Sequence, residues 1–293
     1  VPFPRPTDYS EHQYELLARY FAAGWRMDLQ PDGSFAKYDE VANGQTDTNN
    51  GGAFASDFIG GNWDFPHASY ERREEIYQAH VNYHQGLLYF LQNSPRVPRS
   101  VQAAIREYGL AGDEFTGTQH WPPQLYIREC RRLMGELIVT EHHCLGRERA
   151  VNSIGMAAYT MDSHNCQRVV VNGRVYNEGD VQVRLPAPYG IPYQAITPKR
   201  SECVNLLVPV CLSATHIAFG SIRMEPVFMG LAQAAAIAAS LCLPELRPVQ
   251  DLQYTELQPH LKHAGLVLDL DEIAPELRSN PVGNPTAVLV RTP

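Results

Sequence analysis

The feature that most constrains the fold is one continuous segment near the carboxyl end of the chain. A short apolar run, CVNLLVPVCLSA (203–214), leads into a polar turn at 213–223 and then into an Ala-rich segment. The run has the length and composition of a strand that is buried on both faces. A Pro at position 226 suits the first turn of a helix that begins near Met224, because no intrahelical N–H is needed there. The segment therefore predicts a strand–turn–helix unit.

The polar start of this helix is the strongest candidate binding site in the sequence. A helix N-terminus concentrates unpaired N–H groups and about half a positive charge, which favours a phosphate, a carboxylate or a cofactor atom that becomes anionic. Reduced flavin is one such cofactor, since its negative charge gathers at the N1–C2=O edge. An ordinary crossover helix with a polar cap has the same pattern, so the residues alone leave both interpretations open.

The rest of the chain divides into a helical first half and a β-rich middle. Ser69 has the position of a helix N-cap, and Asn172-Gly173 lies between two β-rich runs, as in a tight hairpin. A long Gly- and Asn-rich stretch at 30–66 is predicted to be a functional loop. Apolar spacing and helix-boundary residues predict four helices, at 11–23, 69–91, 98–108 and 124–140.

These elements predict an α+β / α/β fold, in which a helical region precedes a mixed β-sheet and a closing strand–helix. Residues 1–160 form the mainly helical region and 161–202 the hairpin region. Residues 203–245 form the strand–turn–helix unit, and 246–293 are predicted to be a tail with little chemistry.

Composition excludes several classes of protein. The formal net charge of −8 argues against a nucleic-acid-binding surface. The longest apolar stretch, 227–243, is interrupted by polar residues and is predicted to be a buried helix, so no membrane span is expected. The six cysteines form no C-x-x-C pair, which argues against a zinc ribbon or a disulfide scaffold. Nothing in the sequence decides the compartment.

Two polar stretches carry candidate substrate-binding and catalytic groups. MDSHNCQR (161–168) brings Asp162, His164 and Asn165 together, and a His flanked by hydrogen-bonding side chains suits general acid–base chemistry. TPKR (197–200) brings Lys199 and Arg200 next to the predicted strand, where they could contact an anion. A polar turn entering a strand and a solvated turn are the alternative interpretations.

A metal site and a serine hydrolase site have weaker support. His80 and His84 are spaced i, i+4 on a predicted helix, and EHHC (141–144) is a second cluster, but neither forms H-E-x-x-H. No metal is therefore predicted. The G-x-S-x-G elbow of a serine hydrolase is also absent.

The longest stretch with a family pattern runs over 189–239. It contains Pro192-Tyr193-Gln194, Pro198-Lys199, Ser213-Ala214-Thr215-His216, Gly220-Ser221-Ile222-Arg223 and Gln233-Ala234-Ala235. It resembles the carboxy-terminal part of a large bacterial family of FAD-dependent oxidoreductases, within the glutathione-reductase-like flavoprotein superfamily. The chain departs from the family pattern at Ala232, where Gly is frequent, and at Gln194, where Arg is usual.

Segments upstream are similar to the substrate-side region of the same family, so the resemblance covers most of the chain. These segments are DTNNGGAF, ASYERREEIYQAHVNYHQGLLYFL, PQLYIRECRRLMGE, TEHHC, MDSHN and EGDV. The resemblance is specific for the family and does not identify the substrate.

The resemblance implies an FAD cofactor and hydride transfer from a small polar substrate to flavin N5. The substrate is expected to be a carbinol or an amine, with a sugar-derived compound as one candidate. The catalytic base is expected to be His164 or His216, assisted by Asn165. The substrate is expected to contact Asp162, Tyr193, Lys199 and Arg200. The final helix is expected to point at the pyrimidine edge of the flavin, with these residues around the cofactor: Ser213, Ser221, Arg223, Met224, Glu225, Pro226 and Gln233.

Family members also carry a Gly-rich FAD-binding βαβ unit at their amino terminus. No two of the 21 glycines here are separated by a single residue, so G-x-G-x-x-G is absent. The chain is therefore expected to be the carboxy-terminal portion of a nicked, split or truncated flavoprotein. Its expected partner is a second polypeptide carrying that unit, or further copies of itself. The alternatives are a metal-dependent hydrolase or lyase using His80 and His84, and a non-catalytic interaction subunit.

Overall fold

The computed structural model describes residues 1–25, 39–49, 54–273 and 275. These residues form two compact units, each with its own hydrophobic core. The first unit comprises Val1–Tyr126 and Asn165–Gly179, and the second comprises Ile127–His164 and Asp180–Pro293. The hairpin region predicted at 161–202 is thus divided between the two units.

The described part of the chain contains seven α-helices and eight short strands. The helices are α1 (Glu15–Ala22), α2 (Tyr70–Asn93), α3 (Arg99–Ile105), α4 (Glu141–Cys144), α5 (His216–Ile222), α6 (Glu225–Cys242) and α7 (Tyr254–His263). The strands are β1 (Asp39–Val41), β2 (Gln45–Asp47), β3 (Ser153–Ala157), β4 (Met161–Ser163), β5 (Gln167–Val171), β6 (Arg174–Glu178), β7 (Val181–Val183) and β8 (Tyr189–Pro192).

All four strand pairings among the described residues are antiparallel and two-stranded: β1–β2, β3–β8, β4–β7 and β5–β6. The parallel contact in this part of the chain is a single bridge between Val139 and Ala214. The fold is therefore α+β, and the described residues do not form the mixed sheet that the sequence predicted.

The first unit is built on α1, α2 and α3. The Ser69 hydroxyl accepts a hydrogen bond from the Arg72 amide at 3.3 Å and caps α2, as predicted. Tyr14 lies fully buried, stacks on Phe90 at 5.3 Å and donates its hydroxyl proton to the Tyr83 carbonyl oxygen. The helices predicted at 11–23, 69–91 and 98–108 are confirmed, and the first begins with a 3-10 turn.

The β-hairpin of the first unit is also confirmed. Strands β5 and β6 pair in full register across Asn172-Gly173, and both turn residues have positive φ, at 50° and 73°. These angles are those of a type I′ turn, which Asn-Gly favours. Of the predicted loop at 30–66, residues 30–38 and 50–53 lie outside the described residues, while β1 and β2 form a small hairpin within it.

The helix predicted at 124–140 is wrong. This segment has no helical turn, and its backbone amides bond to distant partners: Leu133 donates to the Cys211 oxygen at 2.8 Å and Val139 to the Ser213 oxygen at 3.0 Å. A Cβ at Gly135 would lie 2.4 Å from the Thr197 oxygen, so the backbones approach closely here. Tertiary pairing has replaced the local i→i−4 bonds of a helix.

The strand predicted at 203–214 is also wrong. Val204, Leu206 and Val210 are 42%, 46% and 47% exposed, and Ala214 alone takes part in a bridge. Pro209 has no N–H to contribute to a ladder, which disfavours a central strand. The apolar run is irregular; it is half-buried to exposed over 203–211 and buried at 212–214.

The helix predicted to begin near Met224 is confirmed as α6, with Met224 at the N-cap and Pro226 in the first turn. The predicted turn at 213–223 is itself mostly helical, because α5 begins at His216. The Thr215 hydroxyl caps α5 by accepting from the Ala218 amide at 3.3 Å. The expected strand–turn–helix unit is therefore a helix–helix unit.

The prediction of a tail at 246–293 is wrong for its first part. Helix α7 packs against α6, with Leu257 and Leu261 fully buried. Residue 274 and residues 276–293 lie outside the described residues.

Helix α6 is buried on one face only. Leu231, Ala234 and Ala238 have no exposed surface, whereas Met229 on the other face is 72% exposed. By length and composition alone, the segment Glu225–Glu245 is long and apolar enough to cross a membrane. One such helix among the described residues is weak evidence for a membrane span, so the expectation of no membrane span stays a prediction.

Candidate functional site

The site lies in the second unit, where α5 packs against β4. Strand β4 ends at Ser163, and α5 begins at His216, so the folding brings the MDSHN and SATH motifs together. The Ser163 hydroxyl oxygen lies 3.3 Å from His216 Nε2. Two motifs that are 53 residues apart in sequence thus supply neighbouring polar groups.

The second ring nitrogen of His216 contacts a carboxylate. His216 Nδ1 lies 2.5 Å from Glu129 Oε1, and Glu129 Oε2 lies 2.5 Å from the Arg132 guanidinium. The Glu129–Arg132 contact is a charge pair rather than an aligned hydrogen bond. The carboxylate raises the pKa of His216 above its ordinary value, an effect that partial burial and the Arg132 charge oppose. His216 is therefore a stronger base than a free imidazole, and half of its side chain is exposed to solvent.

Arg132 connects the carboxylate to the segment before α5. Its Nε donates a hydrogen bond to the Ala214 oxygen at 3.0 Å, and its guanidinium lies 5.3 Å above the Phe219 ring. The planar guanidinium suits this combination of charge pairing and ring contact. Glu129 is thus held by the same backbone that carries His216.

A buried ion pair lies behind this surface. Asp162 and Arg223 form a salt bridge in which the two side chains are 8% and 7% exposed. Gln182, the cross-strand neighbour of Asp162 in β7, donates to the other carboxylate oxygen, and the Arg223 guanidinium lies 5.7 Å from the Tyr159 ring centre. Asp162 and Arg223 were predicted to contact substrate and cofactor. Here they neutralise each other, and those roles stay predictions.

The two serines predicted to line the cofactor are fully buried and hydrogen-bonded within the protein. Ser221 donates to the Tyr159 oxygen at 2.5 Å and accepts from the Tyr189 hydroxyl at 2.9 Å. Ser213 accepts from the Gly135 amide at 3.1 Å. Burial raises the pKa of Tyr189 well above its usual range, so this phenol acts as a neutral donor.

The remaining predicted cofactor residues belong to α6. Met224 is half-buried, Glu225 and Pro226 are exposed in its first turn, and Gln233 donates to the Ala264 oxygen at 3.3 Å. The start of α6 is thus accessible to a ligand, unlike the buried positions of Ser213 and Ser221. A flavin fits this helix start, because its partial positive charge suits the anionic edge of the reduced ring.

The predicted substrate-binding residues at 193–200 contact other residues of the second unit. The Tyr193 hydroxyl is buried and donates to the Val249 oxygen at 2.9 Å. Lys199 lies 3.9 Å from Glu202, and Arg200 pairs with Asp251. Lys199 and Arg200 are about half exposed, as in the solvated turn that was the alternative interpretation. Their substrate contacts stay predictions.

The predicted catalytic residues His164 and Asn165 directly follow β4 and are half-buried. The Ser163 hydroxyl lies 3.4 Å from the His164 carbonyl oxygen, which offers it a second partner beside His216. Their catalytic roles also stay predictions.

His80 and His84 serve as hydrogen-bonding residues of α2. Each Nδ1 contacts the carbonyl oxygen one turn earlier, at 2.7 Å to Ile76 and 2.8 Å to His80. Burial lowers the pKa of both imidazoles. In the EHHC cluster, His143 completes a capping box with Thr140. Within the described ranges, no group of three His, Cys, Asp or Glu side chains could hold a metal ion.

Sequence reasoning missed Glu129 and Arg132. Both lie in the segment 124–140, which was predicted to be a helix, where they would be an ordinary i, i+3 surface pair. The sequence carries no signal that places them beside a histidine 87 residues further on.

Gly220 allows α5 to approach β4, and its replacement tests this packing. A Cβ at Gly220 would lie 2.6 Å from the Asp162 oxygen, a backbone atom that cannot move freely. We expect Gly220→Ala to lower the free energy of unfolding by about 1–3 kcal/mol.

Gly230→Ala, within α6, is the matched control, because a Cβ there would lie at an ordinary contact distance of 3.6 Å from the Leu266 side chain. We expect it to be neutral or to stabilise by up to about 1 kcal/mol. Urea denaturation followed by circular dichroism measures both. Equal stability of the two variants would contradict the close approach.

Comparison with known proteins identifies the class. The family model described as FAD dependent oxidoreductase matches residues 1–261. The chain therefore belongs to the FAD dependent oxidoreductase family, and FAD is its cofactor. Neither a curated protein nor a solved structure gives a significant match to the chain.

Proposed function

We propose that this flavoprotein, of the glutathione-reductase-like superfamily, oxidises a small polar substrate at a C–H bond next to a hydroxyl or amino group. A sugar-derived alcohol is the substrate class that we favour. Membership of the FAD dependent oxidoreductase family supports the general redox activity. The FAD supplies the two-electron chemistry, and the protein supplies orientation and proton transfer.

The observation that carries the proposal is the contact between His216 and Glu129. Oxidation of an alcohol or an amine needs a base that accepts the O–H or N–H proton. Of the two candidate histidines, His216 has a carboxylate on one ring nitrogen and half of its side chain open to solvent. A carboxylate that orients a histidine and stabilises its protonated form is a recurrent arrangement in acid–base catalysis. His216 is therefore the base that we assign.

The start of α6 is the part of this chain that we assign to the flavin. Met224 is its N-cap residue, Glu225 and Pro226 lie in its first turn, and the helix dipole places partial positive charge there. The dinucleotide pyrophosphate needs a Gly-rich loop that this sequence does not contain. We infer that a second polypeptide carrying such a loop completes that part of the site.

Anaerobic mixing with a panel of substrates tests the function. The protein is saturated with FAD and mixed with sugar alcohols, aldoses, simple secondary alcohols and primary amines. We expect bleaching of the visible flavin absorbance by at least one alcohol of the panel. Bleaching by amines alone would change the substrate class from alcohols to amines. No bleaching by any compound would contradict the proposed oxidation.

A further inference from the structure

We propose that Ser163, His216 and Glu129 form a proton relay in which Ser163 meets the substrate and Glu129 is a positioning residue. The inference rests on the proposed oxidoreductase function and deepens it, because it assigns the path of the proton. Ser163 would be a catalytic residue, since its hydroxyl would touch the reacting O–H group.

The direction of the relay follows from the hydrogen-bonding capacity of each group. An ionised carboxylate only accepts hydrogen bonds, so His216 Nδ1, at 2.5 Å from Glu129, must carry a proton. The neutral imidazole then has its lone pair on Nε2. The group facing Nε2 is the Ser163 hydroxyl, at 3.3 Å. This hydroxyl is thus placed to donate to Nε2 while its oxygen accepts a proton from outside.

The position of Glu129 is fixed independently of His216. Its second carboxylate oxygen is buried against Arg132, and Arg132 is bonded to the Ala214 oxygen, two residues before His216. Contacts therefore join the carboxylate, the cation and the histidine to the segment at the start of α5. A second contact that fixes a histidine tautomer commonly tunes its basicity.

The proton step balances. The substrate O–H bond breaks and its proton binds Ser163 Oγ, while the original Ser163 proton moves to His216 Nε2. One proton is transferred in total, and His216 becomes an imidazolium next to the Glu129 carboxylate. The substrate C–H bond breaks with its electron pair leaving as hydride, and FAD, when bound, would supply the two-electron acceptor.

Two charged groups determine the pH dependence of the relay. The Glu129 carboxylate raises the pKa of His216, and Arg132, in the same irregular segment as Glu129, lowers it by a smaller amount. The relay needs neutral His216, so the rate of flavin reduction should rise with pH through this elevated pKa. Removing the Glu129 charge should move that rise to lower pH.

Glu129→Gln is the first test, with two readouts. The titration of the His216 ring, followed by proton NMR and assigned with His216→Gln, should move to lower pH by a resolvable step. The limiting rate of flavin reduction should fall about tenfold, because the imidazolium loses its carboxylate partner. Glu129→Asp, which keeps the charge, should retain the elevated titration.

Glu136→Gln is the matched control, because Glu136 lies in the same segment and accepts from the Arg200 amide instead. In this variant, neither the titration of the His216 ring nor the limiting rate of flavin reduction should change. Ser163→Ala should lower the reduction rate about 10- to 100-fold, and Ser163→Thr should restore part of it.

The outcomes separate the relay from the proposed function. Unchanged His216 titration in Glu129→Gln, or a full reduction rate in Ser163→Ala, would overturn the relay while leaving the proposed oxidoreductase function intact. If the His216 titration shifts as expected in Glu129→Gln but no substrate reduces the flavin of the unmodified protein, the proposed function is overturned. Ser163→Ala tests the relay by itself if Glu129→Gln does not fold.

Discussion

Replacing His216 by Gln is expected to slow the reduction of bound FAD by substrate about 10²- to 10⁴-fold, the usual contribution of a positioned general base. Gln keeps a polar side chain of similar reach but cannot accept a proton at neutral pH. FAD should stay bound, because we assign flavin binding to the start of α6 and not to His216. Stopped-flow absorbance under anaerobic conditions measures the reduction, and the flavin spectrum before mixing measures retention.

His164→Gln is the control for this prediction. The sequence left His164 and His216 as equal candidates, and the structure places the Glu129 carboxylate against a ring nitrogen of His216. We expect His164→Gln to change the rate less than about tenfold, since it keeps the relay. Normal reduction in His216→Gln together with loss in His164→Gln would transfer the base to His164.

Removing one partner of the buried Asp162–Arg223 pair is expected to cost the most stability. Arg223→Met leaves the Asp162 carboxylate uncompensated at a position where the pair is less than a tenth exposed. Breaking such a pair typically costs about 3–5 kcal/mol. Urea denaturation followed by circular dichroism should show this as a lower midpoint with a similar slope.

Two further variants check the origin of that loss. The double variant Asp162→Leu and Arg223→Met removes both charges and should recover most of the lost stability. Lys262→Gln disrupts an ion pair with Glu272 in which the lysine is 51% exposed, and should cost less than about 1 kcal/mol. Equal losses in Arg223→Met and Lys262→Gln would contradict the importance of burial.

Elements with strong local signals could be predicted from the sequence. The Ser69 cap, the Asn172-Gly173 turn and Pro226 in the first turn of α6 each fix backbone geometry within a few residues. Segments 124–140 and 203–214 have apolar patterns but no such signals. Their conformation depends on hydrogen bonds between them, such as that from Leu133 to Cys211, which a local pattern does not encode.

The candidate site was predictable only in part, for the same reason. The polar residues Asp162, His164 and His216 stand in recognisable motifs, so their selection needed no tertiary information. Their partners did need it: Asp162 is 61 residues from Arg223 in sequence, and Glu129 is 87 residues from His216. A motif shows that a residue has a side chain suited to catalysis or binding. The fold decides whether that side chain faces a ligand or another side chain.

Flavin stoichiometry tests the central claim most directly. The protein, with any partner that copurifies, is incubated with excess FAD, passed through a desalting column and examined by visible absorbance and by a denaturing gel. The account predicts retained flavin approaching one FAD per copy of this chain. Protein that is folded by circular dichroism but retains no flavin, alone or with its copurifying partner, would contradict it.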